Sequence, residues 1–141
     1  MADVAATPGF AAAAGDLRPT STTLRDLAAL AGRCYLGSRD FTVLHLVTSC
    51  HGLRLLMPYL DEPERALRHY ALAFGAALIA SGTAPDVAAP TVEPLAWSEL
   101  TARACRSDND HVIKLVYTCL RESQAYGDDW YRQIATLAVG A

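Results

Sequence analysis

The sequence predicts an all-α protein, an irregular bundle of about five to six helices with a Pro-rich connection in its middle. Three observations carry that expectation. Apolar residues recur at spacings of three and four along most of the chain, N-capping residues precede those runs and Gly or Pro follows them, and no convincing strand pattern is present. No internal repeat of solenoid length is visible either, which favours bundle-like or orthogonal packing over a superhelix.

Residues 1–20 are rich in Ala and Gly and are expected to form a disordered tail ahead of one helical domain over 21–141. Thr23 with Asp26 can start the first helix, and Leu24, Leu27, Ala28, Leu30 and Ala31 share its apolar stripe until Gly37. Asp40 is a good N-cap for a second helix from Phe41 to about Met57, apolar nearly all round, with Pro58 near its C-terminal turn. Asp61 and Glu64 read as a capping box and Pro63 suits a first turn. The third helix then runs through Leu67, Tyr70, Ala71, Phe74, Leu78 and Ile79 to a stop at Gly82. Pro85, Pro90 and Pro94 mark 83–95 as an extended connection outside the packed core. Beyond it the pattern predicts a short helix from about Trp97 to Cys105, a long one from Ser107 or Asp108 to Tyr126 stopped by Gly127, and a last one from Asp129.

Composition bounds the function. At 141 residues, 52% apolar and 19% charged, the chain is one core-forming domain and not a disordered segment. A net charge of -3 supplies no broad basic surface, so nucleic acid is not an expected partner. The N-terminus lacks a basic start and a long apolar run, and His45, Thr48, Ser49 and Arg54 interrupt the best membrane-span candidate; a cytoplasmic protein without a membrane partner is expected. Cys34, Cys50, Cys105 and Cys119 lack paired spacing and read as free, buried thiols. The chain contains no dinucleotide fingerprint, phosphate-binding loop, H-E-x-x-H or G-x-S-x-G, which argues against a self-contained nucleotide site and against hydrolase chemistry.

Two polar stripes carry the available chemistry. On the second helix, His45, Thr48, Ser49 and Gly52 fall on one face among Leu, Val, Met and Phe. A buried His45 needs a hydrogen-bond partner, a metal or a ligand; a core His bonded to a carbonyl satisfies the same requirement. His51 lies about 120° from His45 around the axis and shares a side with Arg54, as a second site residue or an exposed one. On the long helix after the connection, His111, Lys114, Thr118 and Glu122 line one face, either a solvated face or a site in which a desolvated Lys114 becomes nucleophilic or ligating. His69 has no such company and reads as structural or surface.

The run Phe41-Thr-Val-Leu-His45-Leu-Val-Thr48-Ser-Cys-His51-Gly-Leu-Arg54-Leu-Leu-Met-Pro58-Tyr-Leu60 and the run Asn109-Asp-His111-Val-Ile-Lys114-Leu-Val-Tyr117 resemble the C-terminal part of the questin oxidase-like family. The resemblance extends from about Leu24 to Ala138. It implies an oxidoreductase of secondary metabolism, an oxygenase that oxidises or opens an anthraquinone-like aromatic polyketide, with NADPH in some branches. In one branch a non-haem Fe(II) is held by several His and a carboxylated Lys. Carried over, the resemblance makes His45, His111 and Lys114 catalytic metal ligands, with His51 in support. Imidazole with carboxylate suits Fe(II), and an open position would admit O2. This chain is shorter than family members and lacks their N-terminal half, from which the resemblance implies a further His ligand. A second polypeptide or another copy is therefore expected to complete the core.

Two other readings compete with this one. The same residues could serve a non-catalytic helical module that docks on another chain. Alternatively, Trp97, Tyr117, Tyr126 and Trp130 could line a pocket that binds an aromatic ligand without turnover.

Overall fold

The computed structural model describes residues 9–86 and 88–140 together with Val4 and Thr7. These residues form seven α-helices, a 3-10 turn and no strand. The helices are α1 (Phe10–Asp16), α2 (Thr23–Ser38), α3 (Phe41–Leu56), α4 (Pro63–Ser81), α5 (Trp97–Ala104), α6 (Asp110–Tyr126) and α7 (Trp130–Ala138), with the turn Met57–Tyr59 closing α3.

The boundaries follow local chemistry. The Asp40 carboxylate accepts the Val43 N–H at 3.0 Å and caps α3, and the Asn109 side chain accepts from the His111 N–H at 3.0 Å and caps α6. Gly127 stops α6 at φ 76°, a left-handed conformation that costs glycine nothing, and its N–H returns to the Ser123 carbonyl. The Asp61–Glu64 capping box does not form. Pro63 occupies the first turn of α4, which makes Glu62 the N-cap and leaves Asp61 one residue too early.

The helix count exceeds the expected five to six because α1 lies inside the segment expected to be disordered. Its alanines have the best helix propensity, and Arg68 of α4 donates to the Ala14 carbonyl at 3.1 Å. Before Gly9, the tail other than Val4 and Thr7 lies outside the described residues. The 83–95 connection is non-helical where described, as its prolines require, yet it is not wholly outside the core. Val92 and Leu95 pack half-buried against the bundle, and the Leu95 N–H donates to the Thr136 hydroxyl of α7 at 3.0 Å.

The most extensive helix pairs are α2 with α3 and α6 with α7, and α3 also packs on α4 and α6. The core fills the space among them with Val43, Val47, Leu100, Leu115, Val116 and Ile134, all at most 2% exposed. Gly32 allows the closest approach: a Cβ placed there would lie 1.9 Å from the Trp130 ring, so α7 presses its indole directly on the α2 backbone. That indole in turn stacks on Tyr131, with 3.6 Å between ring centroids.

All four cysteines are free; Cys34, Cys50 and Cys119 are buried as expected, whereas Cys105, just past the end of α5, is exposed. Burial pushes the Cys50 thiol up to about 12 from an ordinary 9.0, and burial likewise raises Cys119, Tyr70, Tyr126 and Tyr131. The fold thus holds these groups neutral, while an unfolded chain releases their protons from about pH 9 upward. Stability from this source is complete below pH 9 and is lost as pH rises toward 12. The urea midpoint is expected to hold steady to about pH 9 and then to fall continuously; a midpoint unchanged at pH 11 would refute this.

Candidate functional site

Helix α3 is apolar around most of its circumference, but its buried arc is set by Val43, Leu46, Val47, Cys50 and His51. The stripe of His45, Thr48 and Gly52 therefore points away from the core, and His45 is exposed, not buried as the stripe led one to expect. The α6 stripe divides. Leu115, Val116 and Cys119 centre its buried arc; Thr118 and Glu122 fall within that arc, His111 at its edge and Lys114 outside it.

His45 and His111 meet across the α3–α6 seam with 5.5 Å between ring centroids. The Phe41 ring packs against both, at 4.5 and 5.0 Å. Each imidazole is anchored through Nδ1. His45 bonds the Phe41 carbonyl at 2.8 Å and His111 pairs with an Asp110 carboxylate oxygen at 3.0 Å. The Phe41 carbonyl can only accept, so Nδ1 of His45 carries the proton and donates, leaving its Nε2 lone pair for another partner; the His111–Asp110 contact is an ion pair between chain neighbours and fixes no tautomer. Lys114 is exposed and donates to the other Asp110 oxygen at 2.5 Å, a hydrogen bond that holds the Asp110 carboxyl below its ordinary range.

His51 does not join this pair. It is buried, and its Nδ1 donates to Glu122 at 2.6 Å, while its ring meets Tyr117 edge-on at 5.8 Å. Arg54, one turn later on α3, donates Nε and a terminal nitrogen to the same Glu122 oxygen at 2.8 and 2.7 Å. That hydrogen bond raises the Arg54 pKa above its ordinary value. Glu122 is 1% exposed, and its second oxygen and His51 Nε2 are buried with no partner among the described residues. Sequence reasoning placed His51 and Arg54 on one side but missed their link to Glu122, 71 and 68 residues away. The only signal was a carboxylate three residues from Cys119 on an arc that is apolar but for Thr118. His69 is exposed, in keeping with a surface reading.

The four aromatics proposed for one pocket are not gathered. Trp130 lies on Gly32, Tyr117 is exposed beside His51, and Trp97 packs on the core. Tyr126 lines a cleft of about 690 Å³ at the far end of α6.

The residues suit a metal in part. The two imidazoles, 5.5 Å apart by centroid, are close enough for one ring nitrogen of each to reach a common ion at the usual nitrogen–metal distance of about 2.0–2.1 Å. Among the described residues, however, no three His, Cys, Asp or Glu side chains gather as a metal-holding group. Lys114 would have to leave Asp110 before Nζ could be carboxylated.

The bundle thus brings two imidazoles, each held through Nδ1, side by side across the α3–α6 seam. A family model of questin oxidase-like proteins matches residues 24–119, and the chain belongs to that family. The match spans α2 to most of α6 and includes His45, His51, His111 and Lys114. No curated protein and no solved structure matches the chain. Membership gives it an oxidoreductase-related role. Among the described residues, no helix is long and apolar enough to cross a membrane.

Proposed function

We propose that the chain is the helical, ligand-bearing part of an O2-using oxidoreductase that oxidises or opens an anthraquinone-like aromatic polyketide at a non-haem Fe(II). The observation that supports this reading is the His45–His111 pair, anchored through Nδ1 and 5.5 Å apart. Iron there would supply redox chemistry toward O2 and an electron-rich ring. The chain's own residues prepare the site. The Phe41 carbonyl holds His45 in the ligating tautomer, Asp110 pairs with His111, and the Phe41 ring packs against both imidazoles. Lys114 stands one turn beyond His111 as the third donor once freed from Asp110, and His51 acts as a positioning residue through its Glu122 bond. In this reading NADPH is a candidate reductant for which the sequence carries no self-contained binding motif, and the free thiols fit a reducing cytoplasm.

One observation favours a docking role alongside this. Phe41, Tyr117, Leu55, Leu56 and Tyr59 are large apolar side chains left 47–84% exposed, on or just beyond the two helices that carry the His pair. A second polypeptide or another copy covering them would bring the missing donors. The test is anaerobic loading with Fe(II), followed by elemental analysis of wild type, His45→Ala and His111→Ala. Iron retained by wild type and lost by both variants is expected. Wild type that holds no more iron than a double variant, alone or with its partner, would leave a non-catalytic helical module as the function.

A further inference from the structure

We propose that the cleft at the opposite end of the bundle is a separate binding site for a small aromatic carboxylate. It lies between the start of α2 and the C-terminal ends of α3 and α6, and its volume of about 690 Å³ is that of a small-molecule pocket. Arg54 lies nine residues beyond His45, about 14 Å along α3, and Tyr126 fifteen beyond His111, about 22 Å along α6 at 1.5 Å per residue. A ligand in the cleft is thus remote from the imidazole pair.

Apolar surface from Leu24, Met57 and Leu67 lines the cleft with the Tyr126 ring. Over that ring stand two guanidinium groups, Arg25 at 5.6 Å and Arg54 at 5.9 Å from its centroid. Their hydrogen bonds are incompletely spent. Arg54 commits Nε and one terminal nitrogen to Glu122, which leaves the other terminal nitrogen. Arg25 makes no hydrogen bond among the described residues, its nearest carboxylate oxygen being Asp128 at 3.6 Å. The cleft wall therefore holds guanidinium N–H groups beyond those Arg54 gives to Glu122, with Arg25 in only a loose ion pair with Asp128, beside an aromatic face, an arrangement that suits a carboxylate on a flat apolar body.

The test uses the full chain and two probes of equal shape, naphthalene-2-carboxylate and naphthalene-2-carboxamide, titrated by calorimetry and by amide NMR. The acid is expected to shift the amides of residues 21–25, 54–57 and 126 and to bind about tenfold more tightly than the amide. Arg25→Ala, at a side chain 53% exposed and so harmless to folding, should bring the acid down to the amide's affinity and leave the amide unchanged. Arg25→Gln repeats the measurement with the long stem retained. Acid and amide of equal affinity, shifts confined to other residues, or undiminished acid binding in both variants would overturn the proposal.

Discussion

Gly32→Ala is expected to destabilise the protein by about 3 kcal/mol, near the upper end of ordinary overpacking costs. The sign is informative because Gly→Ala within a helix normally stabilises by up to about 1 kcal/mol. Here the new methyl would sit 1.9 Å from the Trp130 ring, so α7 must retreat from α2 or the indole must leave its stack on Tyr131. For a domain of this size the loss corresponds to a fall in Tm of roughly 10 °C. Combining it with Trp130→Leu should recover part of the loss, since the obstruction is the indole. Thermal and urea unfolding of the four proteins form the cycle; a Gly32→Ala variant as stable as wild type would show that the α2–α7 contact is not tight.

The second large effect is expected at Glu122. Glu122→Ala removes the acceptor of three hydrogen bonds and strands His51, together with a guanidinium that is only 27% exposed. Loss of one partner from a buried charge cluster costs about 3–5 kcal/mol, against near neutrality when the whole cluster is replaced by apolar groups. The triple variant Glu122→Leu, Arg54→Met, His51→Phe should therefore be more stable than Glu122→Ala alone. Urea unfolding decides between these outcomes: a cost below about 1 kcal/mol for Glu122→Ala would mean that water already solvates the cluster.

Much of the helical frame was legible in the chain because its signals are local. Asp40 caps α3, Gly82 and Gly127 end α4 and α6, and the prolines of 83–95 keep that stretch out of helix. What escaped was set by distance. Nothing within a few residues of Glu122 announces His51 and Arg54, and nothing near Gly32 announces Trp130. The His45–His111 meeting was suggested by resemblance to a family and not by spacing. Which way the α3 stripe faced was beyond periodicity, because a helix apolar on nearly every side has no obvious inner face.

That ambiguity gives the Glu122 cluster a second consequence. Apolar packing alone leaves the azimuth of α3 weakly determined, as a smooth cylinder can turn in its socket. Glu122 removes the freedom by gripping two points one turn apart, His51 and Arg54, which fixes both the rotation of α3 and its height against α6. His45 lies six residues before His51, about 9 Å and roughly 240° away on the same rigid rod. The register key that draws His51 inward is thus what turns His45 outward, beside His111.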